Sequence, residues 1–353
     1  MVTASPKKIL VTGNLGYVGP NVVKEIRKNF PQATITGFDC GFFSSQVTTP
    51  LFSPDVLADA QQYGDVRKFP VEILKNTDAI IHLAAISNDP MGNRFEDVTL
   101  EINFKATVEL ARKAKDAGVK SFVFASSCSV YGFADDTPRN ENSALNPLTA
   151  YARSKILSEE GLEKLAGRNF NITCLRFATA CGMSSRLRLD LVLNDFVACA
   201  LASSEISILS DGTPWRPLIN TSDMARAMCW AIERENSPGN FLTVNTGNNE
   251  WNYQVKDLAE AVQQRLPETK ISINKNAAPD KRSYKVSFDV YKKIAPRHQP
   301  LATLGSTIDE LISGMRRIGF NDGGFRNSSL IRLNVINQLL EKNIINSNFE
   351  IIR

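Results

Sequence analysis

Two histidines in the chain, and six cysteines with no CxxC pair among them (Cys40, Cys128, Cys174, Cys181, Cys199 and Cys229), leave out most of what a zinc site or a disulfide framework needs. No metal is therefore expected. Charge of either sign is also scarce as a block. The 41 Lys and Arg against 37 Asp and Glu leave a net charge of +4, and no basic stretch stands out, so nucleic acid is not an expected partner. Long apolar runs are missing too: none approaches the roughly 20 residues that span a bilayer. Met1 to Pro6 leads straight into a strand-like segment with no apolar signal core. These absences describe a soluble, cytoplasmic chain, without a membrane partner, of 353 residues. That length buries a substantial core in one large domain or two closely joined ones.

What is present begins with Lys8-Ile9-Leu10-Val11-Thr12, a short apolar run ending in Gly13-Asn14-Leu15-Gly16-Tyr17-Val18-Gly19. Val22, Val23, Ile26 and Phe30 then recur at helical spacing. Strand, glycine loop and helix in this order suit a dinucleotide: Gly13 for the tight turn, Gly16 for close approach of backbone to a pyrophosphate, Gly19 for packing of helix on strand. The spacing is GxxGxxG rather than the commoner GxGxxG. Thr34 to Asp39 reads as a second strand, and Asp39 stands 20 residues after Gly19. A carboxylate there accepts hydrogen bonds from the adenosine ribose hydroxyls and repels a 2′-phosphate, so NAD is expected rather than NADP. Cys40 to Tyr63 has no clear period and reads as a loop or irregular excursion. Asp65, in the following Gly64-Asp65-Val66-Arg67, either reaches the adenine amino group or caps a turn.

Asp78 to Ala85 is an apolar strand ending in small residues, Leu83-Ala84-Ala85, as expected where backbone lies against a cofactor. His82 within it reads as a packed core residue. Helical periodicity runs from Phe95 to Ala117, Ser121 to Ser126 is the next buried strand, Ala150 to Ala166 the next long helix, and Ile172 to Phe177 a strand again. This alternation implies an α/β fold, a doubly wound parallel sheet. Beyond Gly182 the character changes: a helix over about 191–202, Thr221-Ser222-Asp223 as an N-cap for a helix to about Glu233, a strand at 240–245, a helix at 254–266 and a short strand at 270–273. Arg216 and Arg282 sit in separate loops, and together they make a candidate anionic pocket able to bind a diphosphate bidentately. The tail from Phe325 carries an amphipathic run, Leu330, Leu333, Ile336, Leu339 and Leu340, expected to pack on the body or on a partner chain.

The stretch with the most chemistry is Ala125 to Lys155. If Tyr151 begins a helix, Lys155 lies one turn on and on the same face, placing an ammonium beside a phenol. A neighbouring positive charge favours the phenolate and makes Tyr151 a usable proton acceptor. The hydroxyl of Ser127, at the end of the preceding strand, completes a three-residue proton-handling site.

Taken together, Thr12 to Gly19, Asp39, His82 to Ala85, Ser126-Ser127-Cys128-Ser129-Val130-Tyr131-Gly132, Tyr151-Ala152-Arg153-Ser154-Lys155, Leu175-Arg176-Phe177 and the segment from Pro214 to Asp223 resemble the extended short-chain dehydrogenases/reductases, in the NAD-dependent nucleotide-sugar epimerase/dehydratase family. The resemblance covers residues 7 to about 320. It implies a Rossmann NAD-binding domain over 1–183, to which about 217–250 return, a smaller α/β substrate domain mainly over 184–325, and a helical tail over 326–353. Tyr151 would be the catalytic base. Lys155 would bind the nicotinamide ribose and lower the Tyr151 pKa, and Ser127 would hold the sugar hydroxyl. The cofactor site implied comprises Gly13, Asn14, Gly16, Tyr17, Val18, Gly19, Asp39, Asp65, Val66, Leu83, Ala84 and Ala85 with Tyr151 and Lys155. A nucleoside-diphosphate sugar would meet Ser127, Cys128, Ser129, Arg216 and Arg282. The helices at about 96–117 and 150–166 would pair across a homodimer as a four-helix bundle.

Two departures narrow the reading. Family members that make 4-keto-6-deoxy sugars carry Asp-Glu after the catalytic Ser or Thr, whereas here Cys128-Ser129 follows Ser127, so 4,6-dehydration is disfavoured. Thr179 stands where many members have Asn. The working expectation is an epimerase acting by transient oxidation of a sugar hydroxyl at C4, with Cys128 a further candidate acid/base. The alternatives are a nucleotide-sugar 4-ketoreductase with the same Ser-Tyr-Lys set and a non-catalytic dinucleotide-sensing protein.

Overall fold

A computed structural model describes residues 5–48, 54–87, 89–133, 136–234, 239–274, 277 and 283–352. Lys8–Thr12 (β1) is apolar enough to be buried on both faces, as a central parallel strand must be. Its alternation divides the core. Ile9 and Val11 join Val22, Val23 and Ile26 of the helix Gly19–Asn29 on one side, while Leu10 packs with Leu110 and Phe122 on the other.

The further strands are Thr34–Asp39 (β2), Ala60–Tyr63 (β3), Ala79–His82 (β4), Ser121–Ser127 (β5), Asn171–Phe177 (β6), Thr179–Cys181 (β7), Glu205–Ile208 (β8), Trp215–Asn220 (β9), Phe241–Thr246 (β10), Asn252–Gln254 (β11) and Lys270–Ile273 (β12). Seven of them form one parallel sheet in the order β10-β6-β5-β4-β1-β2-β3. The chain runs outward from β1 to β3 and then returns to place β4 on the other side of β1. That reversal opens a crevice at the carboxyl ends of β1 and β4, where doubly wound sheets bind ligands. A three-stranded sheet, β11-β9-β7, and the pair β12-β8 pack with the helices Val192–Ser203, Val255–Arg265 and Leu304–Arg317 around a second core.

Several elements differ from the sequence expectation. Cys40 to Tyr63 is not wholly irregular: a single helical turn at Pro54–Leu57 precedes β3, which pairs with the outer edge of β2. The Ala-Gln-Gln-Tyr of β3 has no apolar face because it is a half-exposed edge strand, and its conformation is imposed by the partner it meets. The helix beginning at Thr221 is capped by the preceding Asn220, whose side chain accepts the Ser222 N–H at 2.8 Å. Asp223 instead accepts the backbone N–H groups of Leu301 and Ala302. The helix over Glu96–Asp116 is interrupted by a π turn at Glu101–Lys105. In the tail, the helix Arg332–Glu341 packs on the body through Ile336, which with Ile345 and Phe349 meets Ile86, Met91 and Val98. Among the described residues no helix is long and apolar enough to cross a membrane.

Candidate active site

A cavity of about 1050 Å3 opens at the carboxyl end of the sheet. Ligand sites typically occupy about 300–1000 Å3, so this one is at the roomy end. The glycine loop forms one wall. Gly13 adopts φ +73°, and a Cβ there would lie 2.5 Å from the Ala84 nitrogen, so only glycine lets β1 turn this close to the end of β4. Gly16, Tyr17, Val18 and Gly19 continue along the cavity, with Leu83, Ala84 and Ala85 opposite.

Asp39, at the end of β2, is buried at the cavity edge, where its two carboxylate oxygens accept the N–H groups of Leu15 (3.1 Å) and Gly41 (2.8 Å). Burial raises its carboxyl above the usual range, against these hydrogen bonds. Each oxygen keeps acceptor capacity for a further donor. Asp65 and Val66 also line the cavity. Asp65 caps a turn by accepting the Arg67 N–H at 2.9 Å, and Arg67 forks onto the same carboxylate at 2.6 Å. Asn14 is different: its side chain lies beneath the loop, donating to the Gln61 oxygen at 2.7 Å, and it does not line the cavity.

Thr149 caps the helix Ala150–Glu163 by accepting the Ala152 N–H at 3.1 Å, which puts Tyr151 in the first turn and Lys155 one turn later. Both face the cavity with Ser127 and Ser129. Ser127 and Tyr151 are hydrogen-bonded, and the Lys155 ammonium lies 5.5 Å from the Tyr151 ring centroid and 4.6 Å from that of Phe124. Lys155 donates to the Ala125 carbonyl oxygen at 2.7 Å, which fixes it to the end of β5. Burial pushes the Tyr151 phenol up to about 12, with the Ser127 hydrogen bond opposing, and brings the Lys155 ammonium down to about 8. Arg188, rather than Lys155, is the leading cation acting to lower the Tyr151 pKa. In the substrate-free protein burial therefore outweighs the lowering by Lys155 that the resemblance implied.

Cys128 does not meet the cavity. Its thiol is fully buried and donates to the Arg176 carbonyl oxygen at 3.1 Å, and burial pushes its pKa far up. A thiol held protonated in the core is a packing group, which corrects its candidacy as an acid/base and as a sugar contact. Arg216 and Thr179 line the cavity, whereas Arg282 lies outside the described residues. His82 is buried between the Thr12 and Thr107 hydroxyls, at 2.6 and 2.8 Å.

The sequence reading missed four other residues of this wall. Asp89, Arg188, Asp190 and Arg332 all line the cavity. Asp89 accepts the Thr149 hydroxyl at 2.7 Å, and Arg188 forks onto Asp190 at 2.7 Å while reaching Ser87 at 3.0 Å. It also missed Asn103, at the π turn, which clamps the loop after β4 by accepting the Ile86 N–H (2.8 Å) and donating to the Ile86 carbonyl (2.9 Å). The one available signal was the Ser-Ser-Arg-Leu-Arg run at 184–188, polar and doubly basic before an apolar helix.

The glycine cradle against Ala84 and the buried carboxylate of Asp39 fit a dinucleotide laid across the switch point. Residues 9–247 match the model of the NAD-dependent epimerase/dehydratase family. An uncharacterised UDP-glucose epimerase of Bacillus subtilis (strain 168) is 27% identical over 252 residues, spanning 69% of this chain and 77% of that protein. A dTDP-D-glucose 4,6-dehydratase of Mus musculus is 23% identical, over 74% of each chain. The solved structure of MoeE5 in complex with UDP-glucuronic acid and NAD is 25% identical and superposes with a TM-score of 0.74, covering 88% of this chain and 99% of its own. With the family match extending over more than half of its length, this chain belongs to the NAD-dependent epimerase/dehydratase family.

Proposed function

We propose that the protein is a nucleotide-sugar epimerase that oxidises a sugar hydroxyl, at C4, to a ketone and reduces it again on the other face. The observation that carries this reading is the convergence of Tyr151, Ser127 and Lys155 on the same cavity as the glycine loop and Asp39. NAD, held by that loop and Asp39, supplies a hydride acceptor that later serves as donor. Ser127 holds the reacting hydroxyl, and Tyr151 takes its proton and gives it back to the ketone oxygen. Lys155, anchored on the Ala125 carbonyl, supports the phenolate as the proton leaves and orients the ribose side of the site. The residues over 1–183 hold the dinucleotide, while Arg216 and the segment over 184–325 hold the sugar diphosphate.

Cys128-Ser129 supports the disfavouring of 4,6-dehydration, because neither position after Ser127 offers a carboxylate and the Cys128 thiol is committed to the Arg176 carbonyl. A homodimer through the helices Glu96–Asp116 and Ala150–Glu163 belongs to the same reading. These two already pack together within the chain, and an ion pair joins Arg153 to Glu96. Sedimentation of the purified protein tests it.

The relatives' UDP-linked ligands make UDP-hexoses the first compounds to try. Purified protein incubated with a UDP-sugar panel and no added cofactor is expected to interconvert one epimeric pair, followed by NMR. Stoichiometric oxidation of added NADH without epimerisation would instead identify a ketoreductase.

A further inference from the structure

Arg332 opens the C-terminal helix Arg332–Glu341, well beyond residue 247 where the family match ends. It is 2% exposed, and it lies on the wall of the cavity. Nη2 donates to the Arg186 carbonyl oxygen at 2.8 Å, and the guanidinium lies 4.6 Å from the Phe43 ring centroid, which fixes its plane. Nη1 is buried with no hydrogen-bond partner among the described residues. Two further arginines converge here, but each has its own carboxylate: Arg186 pairs with Asp55 at 2.6 Å and Arg188 with Asp190 at 2.7 Å. The carboxylate that acts on Arg332 electrostatically, Asp190, is already forked by Arg188.

A desolvated guanidinium with an idle N–H is costly unless an anion meets it. Burial, then the neighbouring Arg188, brings the Arg332 pKa down to about 9, against the opposing charge of Asp190. Planar, always ready to donate in a fork, and held on an aromatic face, arginine suits a phosphate oxygen better than any other side chain. The glycine loop, which contributes Tyr17 to the same wall, lies close enough for Tyr17 and Arg332 to interact electrostatically.

We infer that Arg332 is an anion-binding residue of this cavity, donating Nη1 to a phosphate oxygen of a bound nucleoside diphosphate group. The inference rests on reading the cavity as the site of NAD and a sugar nucleotide, both of which carry that group. It makes the tail part of the binding site. The helix Arg332–Glu341 is held down by Ile336 on Ile86 and Met91, and the Leu330 carbonyl accepts the Leu189 N–H at 2.9 Å, so Arg332 is presented from a docked element.

The test uses purified protein with whatever dinucleotide it retains. Dinucleotide per chain is measured after acid release, and UDP affinity by calorimetry on the same preparations, for wild type, R332Q, R332K and the exposed control K342Q. R332Q is expected to lose about tenfold in one of the two quantities, R332K about threefold because it keeps the charge without the fork, and K342Q nothing. A lower dinucleotide content assigns the phosphate to NAD. Weaker UDP binding at full dinucleotide content assigns it to the sugar nucleotide. Thermal melts identify a variant that has failed to fold, in which case R332K decides. Unchanged dinucleotide content and UDP affinity in the folded variants overturn the inference. A wild type that neither retains dinucleotide nor binds UDP overturns the reading beneath it as well.

Discussion

Cys128 donates its thiol to the Arg176 carbonyl oxygen at 3.1 Å, while the residues on either side of it, Ser127 and Ser129, face the cavity. The Ser127 side chain accepts the Ser129 N–H at 3.1 Å, starting a single helical turn that swings the intervening residue into the core. The substitution Cys128→Ala is therefore expected to leave kcat within about twofold of wild type and to cost about 1–2 kcal/mol of stability from the lost packing. Steady-state assays and urea denaturation check both. A large fall in kcat with stability intact would return the thiol to the reaction.

Tyr151 and Lys155 pull the titration of the site in opposite directions. Burial holds the phenol near 12 and the ammonium near 8, so the first proton to leave the pair in the substrate-free protein comes off near pH 8. Above that pH, Lys155 no longer lends charge to a developing phenolate, and kcat/KM, which reports the free protein, is expected to fall. Arginine stays cationic across this range, so Lys155→Arg should lose the alkaline limb along with much of its activity. Tyr151→Phe should cut kcat by about 100-fold or more while retaining dinucleotide. Full activity in that variant would sink the proposed mechanism.

The site was legible in the sequence wherever function requires a particular residue type at a fixed spacing along one element. Gly13, Gly16 and Gly19 with β1, Asp39 at the end of β2, and Tyr151 with Lys155 one turn on are local patterns, and the structure brings all of them to one cavity. The order of strands and helices in the central sheet, β3 apart, followed from the same kind of signal, since buried parallel strands are continuous apolar runs. The short strands β7, β8, β9 and β11 gave no such run, and Arg216, expected in a loop, lies in β9. What was not legible depends on long-range partners. Ala60–Tyr63 is a strand because β2 offers it an edge, and Asn14 is withdrawn from the cavity because Gln61 on that edge strand binds it. The π turn at Glu101–Lys105 leaves no mark on the apolar period, yet it sets Asn103 against Ile86. Arg188 and Arg332 are joined at the cavity only by the docking of the tail.

Gly19 has no room for a side chain. A Cβ there would sit 2.1 Å from the Asn14 carbonyl oxygen, a backbone atom that can yield only by moving the loop. Gly19→Ala is expected to cost about 1–3 kcal/mol and, under the proposed binding of NAD along this loop, to lower the dinucleotide retained on purification. Unfolding by urea and the dinucleotide content of the purified variant measure the two effects. A variant with wild-type content would mean that the loop tolerates the shift.

His82 makes the stability depend on pH in a direction the hydrogen bonds determine. Thr107 donates its only hydroxyl proton to the Asn103 carbonyl at 2.7 Å, so it must accept from His82 Nε2, and His82 Nδ1 then accepts from Thr12. Both ring nitrogens are committed in the neutral form. Burial, then the Lys155 charge, lowers the His82 pKa to about 3. The unfolded chain takes up this proton near 6.5 and the folded chain only near 3, so between those values the unfolded state holds more protons. The stabilisation is complete above pH 6.5 and is lost as pH falls towards 3, by up to about 1.4 kcal/mol per pH unit. His82→Gln removes that titration. Urea denaturation from about pH 6.5 down to 4.5 should show the variant less stable at the top of the range and its slope with pH flatter by close to one proton. Equal slopes would show that His82 is not the group whose protonation unfolds the protein.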